Sequence, residues 1–274
     1  MEKAYVSREA LSATDKEDLK RVAVALVDAA REAILPLFRS TSLVLENKAD
    51  QGFDPVTHAD KAAERAMRAI LEAQRPEDGI LGEEYGETFG SSGLTWVLDP
   101  IDGTRSFMSG TPTWGVLIAL RDAAGPFFGL IDQPYIGERF IGGLGLNTMA
   151  GPLGAAALQT RCTRALKDAV LFSTFPEIGS RAEHASFQAV AKEVKLVRYG
   201  LDCYAYALLA AGQIDLVIEA GLSAYDVQAP IAVIEAAGGV VCNWQGRPAH
   251  DGGQIIAATT PELMAAALPL LQKV

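Results

Sequence analysis

Cysteine is scarce in this sequence. Three occur, Cys162, Cys203 and Cys242, an odd number with no CxxC pair. That argues against a disulfide framework and fits reduced thiols in a cytosol. Long apolar runs are missing too. The nearest approach to a membrane span, from Leu208 to Ile218, is broken by Gln213 and Asp215, so none is predicted. The first residues, MEKAYVSREALSATDKEDLK, hold no apolar core of a signal peptide. Basic runs are also absent. The chain has 24 Lys and Arg against 34 Asp and Glu, a net charge of −10. Such a chain repels nucleic acid and anionic membranes, and neither is expected as a partner. An anionic substrate would have to be attracted by something other than net charge. The three histidines, His58, His184 and His250, show no zinc spacing. No internal repeat is found. The expectation is a soluble, cytoplasmic protein.

What is there suits a sizeable core. Of 274 residues, 49% are hydrophobic and 21% charged, and the length fits one large domain or two closely packed ones. Thr14-Asp15-Lys16-Glu17 reads as a capping box before a long helix that runs to about Ser40, with Pro36 kinking or ending it. A short strand is expected over 43–46, a Gly- and Pro-marked loop over 48–55, and a second helix over 59–74. Strands follow at 79–82, 114–120, 127–133 and 138–142. The small-residue stretch 148–157 reads as a linker or hairpin and divides the chain near its middle. The resulting division is an N-terminal α+β part, 1–147, and a C-terminal α/β part, 148–274. In the second part, strands at 170–173, 196–199, 214–219, 240–243 and 255–258 alternate with helices at 184–194, 203–211, 226–237 and 261–272. That alternation predicts a layered mixed α/β arrangement.

The most informative stretch is WVLDPIDGTRSF, from Trp96 to Phe107. An apolar strand runs into Asp99 and Asp102, with Pro100 between them and Gly103-Thr104 after. Pro100 lacks an N–H and frees the chain to turn. Two carboxylates and the Ile101 carbonyl within four residues suit a hard cation such as Mg²⁺. Gly103 permits close backbone approach, and a helix opened by Thr104 offers N–H groups to phosphate. The same spacing also fits an ordinary turn. Four more acidic residues, in three places, fall at element ends. Glu83 and Glu84 follow a short strand, and the alternative for them is a solvated loop. Asp60 and Asp226 each begin a helix, where the dipole alone favours an acid.

Taken together, GEE, DPIDGT preceded by Trp, and YDVQAPIAVIEAAGG resemble the motifs of the inositol monophosphatase family, and the likeness spans nearly the whole chain. The longer run DPIDGTRSFMSGTPTWG, with QPYIGERF and RYGLDCYAY, is most similar to the histidinol-phosphate phosphatase branch. The resemblance implies a layered αβαβα sandwich and Mg²⁺-dependent hydrolysis of a phosphate monoester. By motif, Glu83, Asp99, Asp102, Asp226 and the Ile101 carbonyl would hold two or three Mg²⁺ ions. Asp60 and Thr104, with Glu83, would hold and deprotonate the attacking water. Gly103 and Thr104 would give amides to the phosphate. A homodimer is the family's common assembly, and Lys48 matches a lysine preceding its VT-x-AD motif.

For the leaving alcohol, Glu219 lies where the family places a contacting carboxylate. Asp202 is acidic where the inositol branch has a small residue. Histidinol carries an ammonium and an imidazole, so carboxylates there make electrostatic sense. The alternative for Asp202 is a cap on the helix from Cys203. Arg198 is a further substrate-binding candidate; it and Arg105 either face the site or pair with surface acids. The expected reaction is release of phosphate from histidinol phosphate. Inositol phosphate or another polyol phosphate is the alternative substrate, and a non-catalytic binding protein of the same fold the alternative function.

Overall fold

The computed structural model describes residues 7–41, 45–47 and 55–272. Lys48 lies outside them. In chain order the elements are α1 (Ala13–Ile34), β1 (Leu45–Asn47), β2 (Pro55–Thr57), α2 (His58–Gln74), β3 (Gly79–Gly82), β4 (Gly86–Thr88), β5 (Thr95–Asp102) and α3 (Thr104–Met108). Next come β6 (Gly115–Asp122), β7 (Gly125–Gln133), β8 (Glu138–Gly143), β9 (Leu146–Gly151) and β10 (Gly154–Ala157). The remainder is β11 (Val170–Ser173), α4 (Arg181–Ala191), β12 (Leu196–Tyr199), α5 (Cys203–Ala210), β13 (Leu216–Leu222), α6 (Ala224–Ala236), β14 (Val240–Cys242), β15 (Gly253–Ala258) and α7 (Pro261–Leu271).

Two large sheets organise the chain. One has eight strands in the order β10-β9-β8-β7-β6-β5-β3-β4, and the other five in the order β12-β11-β13-β15-β14. Helices α1 and α2 pack together on one face of the first sheet, α5 and α6 lie between the sheets, and α4 and α7 pair on the outer face of the second. The mixed α/β fold is therefore a five-layer αβαβα sandwich, as the resemblance implied. Alternation along the central strands explains the layering. In β6, Val116, Ile118 and Leu120 join the core under α1 and α2, while Leu117 and Ala119 join the core around α5 and α6. In β15, Ile255 and Ala257 face that same middle core, and Ile256 and Ala258 face α4 and α7. A strand covered on both faces reads as a continuous apolar run, because both sets of side chains must be buried.

Local departures from expectation have local causes. Helix α1 is capped two residues before Thr14, because Ser12 and Asp15 make the reciprocal capping box. It ends at Ile34, and Pro36 falls in a single 3₁₀ turn over Leu35–Leu37. The stretch 148–157 is a hairpin: β9 and β10 pair antiparallel and continue the first sheet to Ala157. The first sheet thus runs to Ala157.

The α1 layer is fastened by a buried charge network. Asp132 on β7 has no exposed surface. It accepts hydrogen bonds from Arg31 Nε at 2.5 Å and Nη2 at 2.9 Å, and from Arg139 Nε at 2.7 Å. Arg139 Nη2 also reaches Asp28 at 2.7 Å, so α1 is held by both arginines. Removing one member of a buried pair leaves the others uncompensated. Asp132→Ala is expected to cost about 3 kcal/mol, the low end for such a change because both arginines keep some contact with water. Guanidinium unfolding measures it; a loss under about 1 kcal/mol would contradict the network's role.

Candidate active site

Strand β5 carries Val97 into the middle core, and Asp99, two residues on, falls on the same face. Pairing with β6 is regular as far as Asp99↔Leu117 and resumes at Asp102↔Gly115, with a register shift between. Pro100 sits in that irregular step, where no ladder N–H is required. The strand therefore does not stop at Asp99; it bulges and delivers both aspartates to the layer between the sheets. There α6 begins with Asp226. One carboxylate oxygen from each of Asp99, Asp102 and Asp226 lies within 4.8 Å of the other two. Glu83, at the end of β3, is close enough to hydrogen-bond Asp99.

The electrostatics follow from that crowding. Burial, then the neighbouring charges of Glu83, Asp102 and Asp226, push the Asp99 carboxyl well above the usual carboxylate range. Burial likewise raises Asp102, with Asp202 and Asp226 adding to it and the Cys203 N–H opposing. Asp226 is pushed up to about 7 by burial, against the Ser223 N–H that bonds its Oδ2 at 2.6 Å. Like charges this close cannot all ionise unless a cation joins them. One buried oxygen, Asp99 Oδ1, makes no hydrogen bond among the described residues. Buried acceptors without a donor are rare and call for a ligand or ion. An all-oxygen donor set of this kind fits Mg²⁺.

Gly103 and Thr104 lie directly beside the cluster. Thr104 Oγ1 donates to the Ile101 carbonyl at 3.2 Å. Gly103, at φ +85°, is the N-cap of α3 and brings no side chain to the first turn of that helix. An added Cβ at Gly103 would fall 2.8 Å from the Asp202 carboxylate, so glycine is required on both counts. Asp60 is buried in the first turn of α2, the helix that packs on β5.

A cleft of about 250 Å³ opens from Asp102 and Asp226 and is lined also by Arg105, Thr174, Phe175, Asp202, Tyr206 and Glu219. Asp202 does not cap α5 with its side chain. Asp102 takes that role, accepting the Cys203 N–H at 2.5 Å. Asp202, at φ +47°, instead accepts from Ser106 Oγ at 2.5 Å and stands against Gly103. Glu219, 5% exposed, accepts from the Thr174 N–H at 2.6 Å, Thr174 Oγ1 at 2.9 Å and Ser173 Oγ at 3.3 Å. The Arg105 guanidinium lies 5.2 Å from the Phe175 ring centre. Arg198 is not brought to the cleft. It is exposed on β12, the outermost strand of the second sheet, so of the two arginines only Arg105 lines the site.

Sequence reasoning missed several neighbours. Ser106 and Thr174 fix the two substrate-side carboxylates, but lone hydroxyls carry no pattern. Tyr206, which the sequence leaves open between helix packing and a pocket wall, lines the cleft, and its buried hydroxyl makes no hydrogen bond among the described residues. Glu64 was legible in principle. It follows Asp60 by four residues on the stripe that buries Ala63, Met67 and Leu71, and an acid on a buried stripe needs a reason.

Carboxylates from β5 and α6, with Glu83 just past β3, meet between the layers of an αβαβα sandwich in a cluster that could hold a metal ion. Comparison with known proteins gives the family. Residues 15–274 match the model described as the inositol monophosphatase family, and the chain belongs to it. It is 42% identical over 239 residues to the bifunctional phosphatase IMPL2, chloroplastic, of Arabidopsis thaliana, covering 86% of this chain and 67% of that one. It is 34% identical over 251 residues to the histidinol-phosphatase of Streptomyces coelicolor, covering 89% and 93%. A solved inositol monophosphatase from Zymomonas mobilis superposes with a TM-score of 0.81 at 38% identity, covering 96% of this chain and 100% of that one.

Glu219 gives this site a pH signature. Burial pushes its carboxyl up to about 7, against the bonds from Thr174 and Ser173 that pull it down. The folded protein then holds a proton that an unfolded chain releases at about 4.3. Its contribution to stability falls as pH rises from about 4 to about 7 and is level above. Glu219→Gln cannot ionise, so it should gain on the parent protein across that window. Guanidinium unfolding in chelator at about pH 5 and about pH 8 tests this; a constant difference between the two proteins would refute it.

Proposed function

We propose that this phosphatase of the inositol monophosphatase family hydrolyses histidinol phosphate to histidinol and phosphate, the histidine-biosynthetic reaction, as a cytoplasmic Mg²⁺-dependent homodimer. The observation that carries the substrate choice is the pair of fixed carboxylates, Asp202 and Glu219, in the cleft that also holds the acidic cluster. A leaving alcohol bearing an ammonium and an imidazole is matched by such a pair; a neutral polyol gains much less from it. Relatives named histidinol-phosphatases support the same reading.

Glu83, Asp99, Asp102, Asp226 and the Ile101 carbonyl would hold the Mg²⁺, two or three ions in this reading. The metal, when bound, supplies charge neutralisation for the dianionic ester and lowers the pKa of a water. Asp60, Thr104 and Glu83 orient that water and take its proton. N–H groups at Gly103 and Thr104 bond the phosphate oxygens. Asp202 and Glu219 orient the alcohol so that its oxygen departs opposite the water.

Phosphate release from a small substrate panel, with Mg²⁺ and with chelator, tests the reading. Histidinol phosphate should exceed inositol 1-phosphate by at least about tenfold in kcat/KM, roughly 1.4 kcal/mol of discrimination. Equal rates would favour the polyol reading, which the Zymomonas likeness also supports. Asp202→Ala should weaken histidinol phosphate turnover by about tenfold or more and spare inositol 1-phosphate; an equal loss on both would remove Asp202 from substrate recognition. Asp102→Asn retains an oxygen for the Cys203 N–H, so it should fold normally while losing on the order of a hundredfold or more in turnover. Full activity in that variant would contradict the metal role.

A further inference from the structure

Asp60, Glu64 and Arg68 follow one another at four-residue intervals along α2, and so share one face of the helix. Glu64 has no exposed surface. Its carboxylate accepts the Glu84 N–H at 2.7 Å, the Tyr85 N–H at 3.2 Å and Arg68 Nε at 2.8 Å. Arg68 continues to the Gly86 carbonyl at 2.5 Å and Thr88 Oγ1 at 3.1 Å. All of these contacts beyond the helix reach the β3–β4 hairpin, whose turn starts at Glu83. A Cβ on Gly82 would overlap the Glu64 carboxylate, so the first residue of the GEE motif is glycine to let this acid approach. On its other side, the Glu83 N–H bonds the Leu98 carbonyl at 3.2 Å, one residue before Asp99.

Packing alone does not account for an acid here. Its stripe neighbours Ala63 and Met67 are apolar, and burying a charge carries a desolvation cost that a hydrophobic residue avoids. What a carboxylate adds is a directional grip on two backbone N–H groups. We propose that Glu64 is a positioning residue: clamped by Arg68, it fixes the Glu83 turn relative to Asp60 on its own helix, and so sets the affinity of the site for its divalent cation. This rests on the metal reading above. Groups that orient a metal's ligands typically change metal affinity by about 10- to 100-fold when altered.

Mn²⁺ binding to the substrate-free protein, followed by electron paramagnetic resonance, tests it, with thermal unfolding recorded on the same samples. Glu64→Gln should bind Mn²⁺ about tenfold or more weakly than the parent protein. Arg68→Lys keeps the charge but loses the forked contact, and should show a smaller loss. A purely structural role would lower the unfolding temperature and leave the affinity of the folded protein alone. Affinity within about twofold of the parent in either folded variant would therefore overturn the proposal. If Glu64→Gln does not fold, Arg68→Lys carries the comparison alone. A parent protein that binds no Mn²⁺ would sink the metal reading and the clamp with it; a parent that binds, beside unchanged variants, would sink only the clamp.

Discussion

Mutual repulsion among carboxylates withdrawn from water governs the architecture. Asp99, Asp102 and Asp226 converge within 4.8 Å, with Glu83 against Asp99. A protein has no reason to assemble such a group for stability, since burial and proximity both disfavour ionisation. A divalent cation reverses the sign of the arrangement. In the proposed function it would also answer how a chain of net charge −10 receives an anionic ester: attraction would be local and supplied by the metal, not by the protein's overall field.

The layers exist to bring those groups together and to hold them. Glu83, Asp99 and Asp102 come from the first sheet, and Asp226 and Asp202 from the helices between the sheets. The middle core, which joins Val97 and Leu117 to Val227 and Val233, therefore sets the distance between the two halves of the site. Polar contacts then refine single side chains. The Cys203 N–H holds Asp102, the Ser223 N–H holds Asp226, and Thr174 holds Glu219. Fixed groups of this kind need little reorganisation when charge develops in the reaction.

Much of this was legible before any coordinates. The doubly covered strands announce themselves as apolar runs, and 79–82, 170–173 and 196–199 fall where the sequence places them. The acidic residues at element ends could be named one by one, and the motif resemblance joined them. Less legible was what depends on long-range contact. The strand through Pro100 continues to Asp102 because β6 tolerates a register shift there, which local propensity does not encode. Asp202 could be read as a helix cap; only its contact with Ser106 and its closeness to Gly103 show it turned elsewhere. Arg198 could be read as facing the site or as pairing with surface acids; it lies on an edge strand because β12 closes the second sheet. Glu64 had a readable helical register, but its partners come from a hairpin about 20 residues away.

The cation is the central claim, and anomalous X-ray diffraction from crystals grown with Mn²⁺ tests it most directly. The account predicts strong anomalous density among the carboxylates of Glu83, Asp99, Asp102 and Asp226, within coordination distance of the Ile101 carbonyl. Density confined to other sites, or none with these side chains well ordered, would contradict it.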